Sequence, residues 1–187
     1  MEATTAIIAP DSWTCVLPLD KLFDAAKPLE VDVGCGKGRF ILSRAVSHPD
    51  ASYLGIDRLL ARLRIVDKRI QRRGLDNVRL LRIEASYAIE HLLPPASVTT
   101  FYVQFPDPWP KRRHHRRRLF SPPILDAIHR TLVTGGKIHL VTDHTQYFEV
   151  INEIFTSDPR FNQTETFEPD DEERTNFELI FLRRKKK

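Results

Sequence analysis

LEVDVGCGKGRF, residues 29–40, is the stretch of sequence that decides the fold. An apolar strand is predicted to run into Gly34, Gly36 and Gly38 and then into a helix, and such glycines let the backbone turn sharply beside a ligand. Arg39 stands where the dinucleotide G-x-G-x-x-G pattern places its third glycine, which argues against NAD. The loop also lacks the Lys-Ser/Thr ending of a P-loop. A nucleoside ligand without phosphates remains, beside the alternative of a purely structural tight turn.

Short apolar runs alternate with longer amphipathic stretches over most of the chain. This pattern predicts an α/β fold, in which helices cover both faces of a mostly parallel central sheet. The predicted strands cover residues 29–33, 52–56, 78–83, 99–105 and 137–142. The predicted helices cover residues 38–47, 59–73, 87–92, 121–131 and 146–156. Gly135 and Gly136 predict a turn into the fifth strand.

The two ends of the chain differ from this middle part. Residues 161–166 and 177–182 predict a C-terminal antiparallel hairpin that completes the sheet. We expect residues 1–27 to be a partly mobile N-terminal segment, because they show no periodicity. Residues 28–187 are then a single domain with a basic tail.

Carboxylates end or interrupt the first three predicted strands. Asp57 ends the second strand, about 20 residues past the glycines, where a carboxylate can accept both ribose hydroxyl hydrogens. Glu84 ends the third strand and is placed to meet a base, because the carboxyl ends of adjacent parallel strands converge on one crevice; a solvated helix cap is the alternative. Asp32 lies inside the first strand, where a free carboxylate is costly unless it is hydrogen bonded. It faces either a ligand or the amides of the glycine loop.

The fourth predicted strand leads into FPDPWPKRRHHRR, which begins at Phe105. Asp107 follows the same edge of the sheet, and the prolines on both sides of it predict a rigid loop that would hold a reactive geometry. Trp109 can stack on a base or pack on the sheet. The basic run over residues 111–118 suits the phosphates beside a splayed-out base, although runs of charge are usually solvated surface.

Charge is distributed unevenly along the chain. There are 29 Lys and Arg against 25 Asp and Glu, and the cations concentrate in residues 111–118 and in the terminal RRKKK. These basic regions predict a polyanionic partner. Cys15 and Cys35 have no close spacing, so neither a disulfide framework nor a zinc site is indicated, and no metal is expected. With no apolar run of about 18 residues and no basic leader, we expect a cytoplasmic protein that contacts no membrane.

Four ordered motifs over roughly residues 29–180 resemble the bacterial tRNA (guanine-N7)-methyltransferase family. The glycine loop is the first. The F-x-D-P-W-x-K-x-R-H-x-x-R-R pattern of the family is found from Phe105 onward, and its TD-x-x-x-Y-F segment is found as TDHTQYF from Thr142 to Phe148. Its T-x-F-E segment is found as TNFE from Thr175 to Glu178.

The resemblance implies a Rossmann-like class I methyltransferase fold and S-adenosylmethionine as the cofactor. It also implies methyl transfer to N7 of a guanine in the variable loop of tRNA. The cofactor-binding residues would be Asp32, Gly34, Gly36, Gly38, Asp57, Glu84 and Asp107, of which Asp107 is also catalytic. Lys111, Asp143, Thr175, Asn176, Phe177 and Glu178 would bind the tRNA substrate. Its phosphates would contact Arg112, Arg113, Arg116 and Arg117.

Within this set, three carboxylates differ in length from those of the family. Asp32 and Asp57 stand where many relatives carry Glu, and Glu84 stands where many carry Asp. Each change keeps the charge and moves it by one methylene. With S-adenosylmethionine bound, Asp32 would face the amino group of the methionine part.

Methylation of guanine N7 requires no proton transfer before the methyl group is attacked. N7 is an acceptor without a proton, so no strong general base is needed and the rate should come from alignment. Asp107 would position guanine by accepting hydrogen bonds from N1 and N2 and would stabilise the cation that forms. For Asp143 the alternative is an N-cap on the following helix.

Two other functions remain open. One is a methyltransferase for base amino groups, against which Trp109 and the basic run argue. The other is a non-catalytic RNA-binding module of the same fold, against which the retention of Asp107 and the glycines argues. Besides tRNA, we expect no obligate protein partner, and the protein to be a monomer or a weak homodimer.

Overall fold

A computed structural model describes residues 5–164, 168–170 and 172–175 of the chain. At its centre lies a six-stranded parallel sheet. The strands are β1 (Ile7–Ile8), β2 (Leu29–Val33), β3 (Ser52–Ile56), β4 (Val78–Leu81), β5 (Val98–Gln104) and β6 (Leu132–Val141). Their order is β1-β4-β3-β2-β5-β6. The chain builds outward from β2 to β4 and then returns to the other side of β2, so a crevice is left outside the carboxyl ends of β2 and β5.

Helices cover both faces of the sheet. They are α1 (Leu19–Leu22), α2 (Arg39–Ser47), α3 (Leu60–Arg73), α4 (Ala85–Tyr87), α5 (Pro122–Thr131) and α6 (Thr145–Thr156). A π-helical turn, Ala88–Leu92, continues α4, and a 3-10 helix spans Arg112–Arg117. Consecutive residues of β3 belong to two different hydrophobic cores. Tyr53 belongs to the core that contains buried residues of α2 and α3, whereas Leu54 belongs to the core that contains those of α5 and α6. The predicted α/β fold with a parallel sheet between two helical layers is confirmed.

The loop between β2 and α2 depends on its glycines. Gly34, Gly36 and Gly38 have φ angles of 80°, 56° and 73°, in the left-handed region that other residues avoid. A Cβ atom on Gly38 would lie 2.6 Å from Cγ1 of Val66. The first turn of α2 is therefore pressed against α3, and the glycine makes that approach possible.

The structure departs from the predicted strands most clearly at two places. Ile7–Ile8 pairs with β4, so a strand lies inside the N-terminal segment; the mobility of residues 1–27 stays a prediction. The fifth predicted strand begins at Leu132 rather than at residue 137. Gly135 and Gly136 therefore lie inside β6, where the pairing with β5 shifts register, because glycine can adopt the backbone conformation of such an irregularity.

The predicted C-terminal hairpin is not confirmed. Residues 161–164 form no strand. Residues 165–166 and the second predicted strand, 177–182, lie outside the described residues, so the hairpin stays a prediction.

Candidate functional site

A cleft of about 190 Å³ lies at the carboxyl edge of the sheet. Its lining includes Gly34 after β2, Asp57 after β3, Glu84 after β4 and Asp107 after β5. Four of the residues predicted to bind a cofactor, taken from four different strand ends, thus meet in one place. Ligands of open parallel sheets bind at such an edge.

Asp57 organises the glycine loop and the start of α3. The residue is 6% exposed, and its Oδ2 accepts hydrogen bonds from the Gly36 amide at 3.1 Å and from Arg62 at 3.4 Å. Oδ1 accepts from the Leu59 amide at 2.7 Å. A carboxylate has about four acceptor positions, so capacity for further donors remains.

Asp32 is buried without a partner. It is 6% exposed, and no described residue donates a hydrogen bond to it, so the alternative in which loop amides satisfy this carboxylate is not supported. Burial, and then the nearby charge of Asp57, raises the pKa of Asp32 to about 7. Asp32 is not among the residues that line the cleft, although Gly34, two positions later, is.

Glu84 lines the cleft as an exposed side chain. It occupies the N-cap position of α4, but it makes no capping hydrogen bond with that helix. Its carboxylate is consequently available to a ligand in the cleft.

The loop after β5 holds Asp107 between two residues with unusual backbone conformations. Phe105 and Trp109 have φ angles of 53° and 42°. Non-glycine residues in this region cost roughly 1–3 kcal/mol each and concentrate at functional sites. The Phe105 amide donates to the Val141 carbonyl at 2.7 Å, and Arg118 Nε donates to the Pro108 carbonyl at 2.8 Å. These hydrogen bonds fix the loop on both sides of Asp107, which is itself exposed.

Trp109 packs on the basic run rather than on the sheet. The Arg117 guanidinium lies 5.0 Å from the centre of its ring, and the His114 ring meets it edge-on at 5.7 Å. The run itself forms the exposed 3-10 helix, on which Arg112, Arg113, Arg116 and Arg117 are all exposed. The predicted phosphate-binding cations are thus tied to the loop that carries Asp107.

The predicted substrate-binding residues are less closely grouped. Lys111 and Asp143 are exposed, but neither lines the cleft. The N-cap of α6 is His144, whose Nδ1 accepts from the Tyr147 amide at 3.2 Å, so Asp143 does not have the alternative capping role. Thr175 is half-buried, and Asn176, Phe177 and Glu178 lie outside the described residues.

A partly buried ionic cluster holds the segment that contains Thr175. Arg44 of α2 pairs with Glu30 of β2 and with Glu173, each at 3.3 Å, and Arg39 Nε donates to the Arg174 carbonyl at 2.7 Å. Glu173 is 2% exposed. This cluster was not predicted from the sequence. The sequence did contain one indication of it, because Glu30 is a charged residue inside the apolar strand LEVDV and such a residue needs a partner.

Comparisons with known proteins show which family the chain belongs to. Residues 26–186 match the family described as "Putative methyltransferase". The tRNA (guanine-N(7)-)-methyltransferase of Thiobacillus denitrificans is 32% identical over 171 residues, which cover 90% of this chain and 75% of that protein. The chain belongs to the tRNA (guanine-N7)-methyltransferase family. The family predicted from the four motifs is therefore confirmed.

Two other relatives in this family extend well beyond the region that matches this chain. The protein of the same name from Halorhodospira halophila is 38% identical over 149 residues, 80% of this chain and 64% of that protein. The one from Nocardia farcinica is 38% identical over 143 residues, 76% of this chain and 53% of that protein. The chain thus spans between about half and two thirds of the length of these two curated relatives.

Solved structures agree on the fold. A structure titled "Structure of an Antibiotic Related Methyltransferase" has a TM-score of 0.54 at 18% identity and covers 77% of this chain and 71% of its own. The aminoglycoside resistance methyltransferase NpmB1 has a TM-score of 0.53 at 23% identity and covers 73% and 66%. The predicted Rossmann-like class I methyltransferase fold is confirmed.

Clusters of side chains that could hold a metal ion and helices that could span a membrane were both sought in the part of the chain that the structure describes. No group of three or more His, Cys, Asp and Glu side chains in this part is arranged to hold a metal ion. No helix there is both long and apolar enough to span a membrane.

Proposed function

We propose that this chain binds S-adenosylmethionine in the cleft and transfers its methyl group to N7 of a guanine in the variable loop of tRNA. The observation that carries the proposal is the convergence of Gly34, Asp57, Glu84 and Asp107 on one cleft, beside an exposed cationic helix. The names of the relatives support both the reaction and the substrate.

The residues of the cleft fit a cofactor with a nucleoside and a cationic amino acid part. Asp57 has acceptor capacity left for ribose hydroxyls, and Glu84 is available to the base. Asp32 is buried without a partner and would gain one from an amino group, which would also lower its raised pKa. Gly34, Gly36 and Gly38 would bring backbone close to the cofactor. S-adenosylmethionine, when bound, supplies a methyl group on a positively charged sulfur.

The role of Asp107 follows from its loop. Guanine N7 carries no proton, so the protein has to align it rather than deprotonate it. Asp107, exposed at the cleft and fixed between Phe105 and Trp109, would accept hydrogen bonds from N1 and N2 of the guanine. Phe105 and Trp109 keep costly backbone conformations only because the surrounding structure fixes them. This supports a loop that is already ordered before the base binds.

The remaining tRNA contacts are assigned from the family motifs and from the basic run. The phosphates next to the guanine would contact Arg112, Arg113, Arg116 and Arg117, and the nucleotide itself would contact Lys111, Asp143 and the segment Thr175–Glu178. Both cysteines are free, as suits a reducing compartment, and we place the reaction in the cytoplasm. The chain would act without an obligate protein partner, as a monomer or a weak homodimer.

The test is transfer of labelled methyl from S-adenosylmethionine to unmodified tRNA transcripts, followed by analysis of the nucleosides. We expect N7-methylguanosine with the wild type. Asp107→Asn should lower kcat at least about 100-fold, because the base is no longer aligned, while the Kd for S-adenosylhomocysteine stays within about twofold.

The matched control is Asp20→Asn, because Asp20 is an exposed carboxylate on α1 and lies away from the cleft. It should leave both kcat and the Kd unchanged. A methylated base amino group in the product would instead support the other methyltransferase reaction, and wild-type turnover in Asp107→Asn would overturn the role of that residue.

A further inference from the structure

Helix α3 carries positive charges that the proposed function does not use. Its sequence, LARLRIVDKRIQRR, holds six Lys and Arg side chains and one carboxylate. Arg64, Lys68 and Arg72 are exposed and follow one another at intervals of four residues, so they lie above one another on one side of the helix. We call these three residues the α3 basic face.

The α3 basic face has no partner within the described chain. None of its three side chains forms a hydrogen bond or an ion pair with a residue that the structure describes. The one carboxylate of the helix, Asp67, is occupied elsewhere, because it accepts hydrogen bonds from Thr5, Ala6 and Gln71 at 3.1, 2.7 and 3.1 Å. The fold therefore does not neutralise these three charges.

The charges also oppose the stability of the helix on which they lie. Like charges four residues apart on a helix repel one another, and Arg64 with Lys68 and Lys68 with Arg72 form two such pairs. The opposite side of α3 already anchors the helix, since Leu63, Val66 and Ile70 are buried. The phosphates of a nucleic acid bound to this face would offset the repulsion.

The helix that carries this face starts beside the cleft. Arg58 and Arg62 line the cleft together with Asp107, and α3 begins at Leu60. Over its 14 residues the helix extends roughly 20 Å away from the cleft. An RNA strand whose base enters the cleft must continue over its rim, and α3 offers cations along that direction.

We propose that the α3 basic face binds the sugar-phosphate backbone of the RNA whose guanine enters the cleft, as a second phosphate-binding surface separate from the 3-10 helix Arg112–Arg117. The proposal rests on the proposed function, because that function supplies the RNA. It gives the substrate two supports, one on the helix that follows β3 and one on the 3-10 helix that follows β5.

The test compares two double variants that remove the same charge. Lys68→Gln with Arg72→Gln removes two cations of the face, and Lys21→Gln with Lys137→Gln removes two exposed cations from α1 and β6. The tRNA affinity of each is measured by fluorescence anisotropy from about 50 to 300 mM salt. Removal of one phosphate-binding cation should lower the slope of log K against log salt by about 0.7, so the first variant should have a slope smaller by about 1.4 and bind about tenfold more weakly at 150 mM.

The control variant should keep the wild-type affinity and slope. Lys68→Arg with Arg72→Lys, which keeps the charge, should do the same. If the first double variant does not fold, the single variants decide, each with an expected fall of about threefold in affinity. An affinity and slope equal to those of the control variant would overturn the α3 surface, and a protein rather than RNA would then be sought for this face.

Labelled methyl transfer to the same tRNA separates this proposal from the one on which it rests. A wild type that binds tRNA through α3 but forms no N7-methylguanosine overturns the proposed reaction alone. A wild type that forms N7-methylguanosine while the Lys68 and Arg72 variant binds like the control overturns the α3 surface alone.

Discussion

Among the single residues of the site, Asp32 is the one whose acid–base behaviour departs most from that of a free side chain. Its pKa is raised to about 7 by burial and then by Asp57, whereas in an unfolded chain it is about 3.9. The folded state thus holds this proton more tightly, and the resulting stability is fully present below about pH 4 and is lost as the pH rises through about 7. We expect Asp32→Asn to increase the free energy of unfolding, relative to wild type, by more at pH 8 than at pH 5.

Urea unfolding of the ligand-free protein at the two pH values measures this difference. Asparagine cannot ionise, so any cost of its unpaired amide is the same at both. If the difference in free energy of unfolding between Asp32→Asn and wild type is the same at pH 5 and pH 8, Asp32 does not titrate in this interval.

Among the elements, the packing of α2 against α3 depends on one hydrogen atom in place of a side chain. Gly38 and Gly74 both have positive φ, 73° and 63°, but a Cβ atom would lie 2.6 Å from Val66 at Gly38 and would meet nothing within 4 Å at Gly74. Gly74→Ala should cost about 1–2 kcal/mol for the left-handed backbone alone. Gly38→Ala should cost about 1–3 kcal/mol more, because the helices must separate. Equal denaturation midpoints for the two variants would contradict this reason.

Some elements of the fold could be predicted from the sequence and others could not. β2 and β3 agree with their predicted limits, because short apolar runs bounded by turn residues report burial locally. β1 was missed, since a two-residue strand has no period and exists through pairing with β4, far along the chain. The stacking of Arg117 on Trp109 was missed as well, because it depends on a 3-10 helix that charge alone does not predict.

In the whole molecule, an ionic contact joins the two ends of the domain. Arg44 and Glu173 are 129 residues apart, a separation at which no local spacing could predict the pair, whereas the residues at the strand ends could be predicted from sheet geometry. Glu173→Gln should lower the free energy of unfolding by about 1–3 kcal/mol, because Arg44 is deprived of its buried carboxylate partner and keeps the partly buried Glu30.

Chemical denaturation followed by circular dichroism measures this decrease. The neighbouring Glu172→Gln is the matched control, since Glu172 is exposed and forms no ion pair with a described residue. A decrease of the same size in both variants would show that the cluster does not stabilise the fold.

The hydrogen bonds of Asp57 limit how the cleft can change during evolution. The carboxylate that faces the proposed ribose also holds the Gly36 and Leu59 amides, so ligand choice and chain folding share one side chain. A replacement that suited a different nucleoside would at the same time release the glycine loop and the start of α3. Changes of specificity should therefore be found around Asp57, at neighbours such as Arg58 or Glu84, which can be exchanged without altering the scaffold.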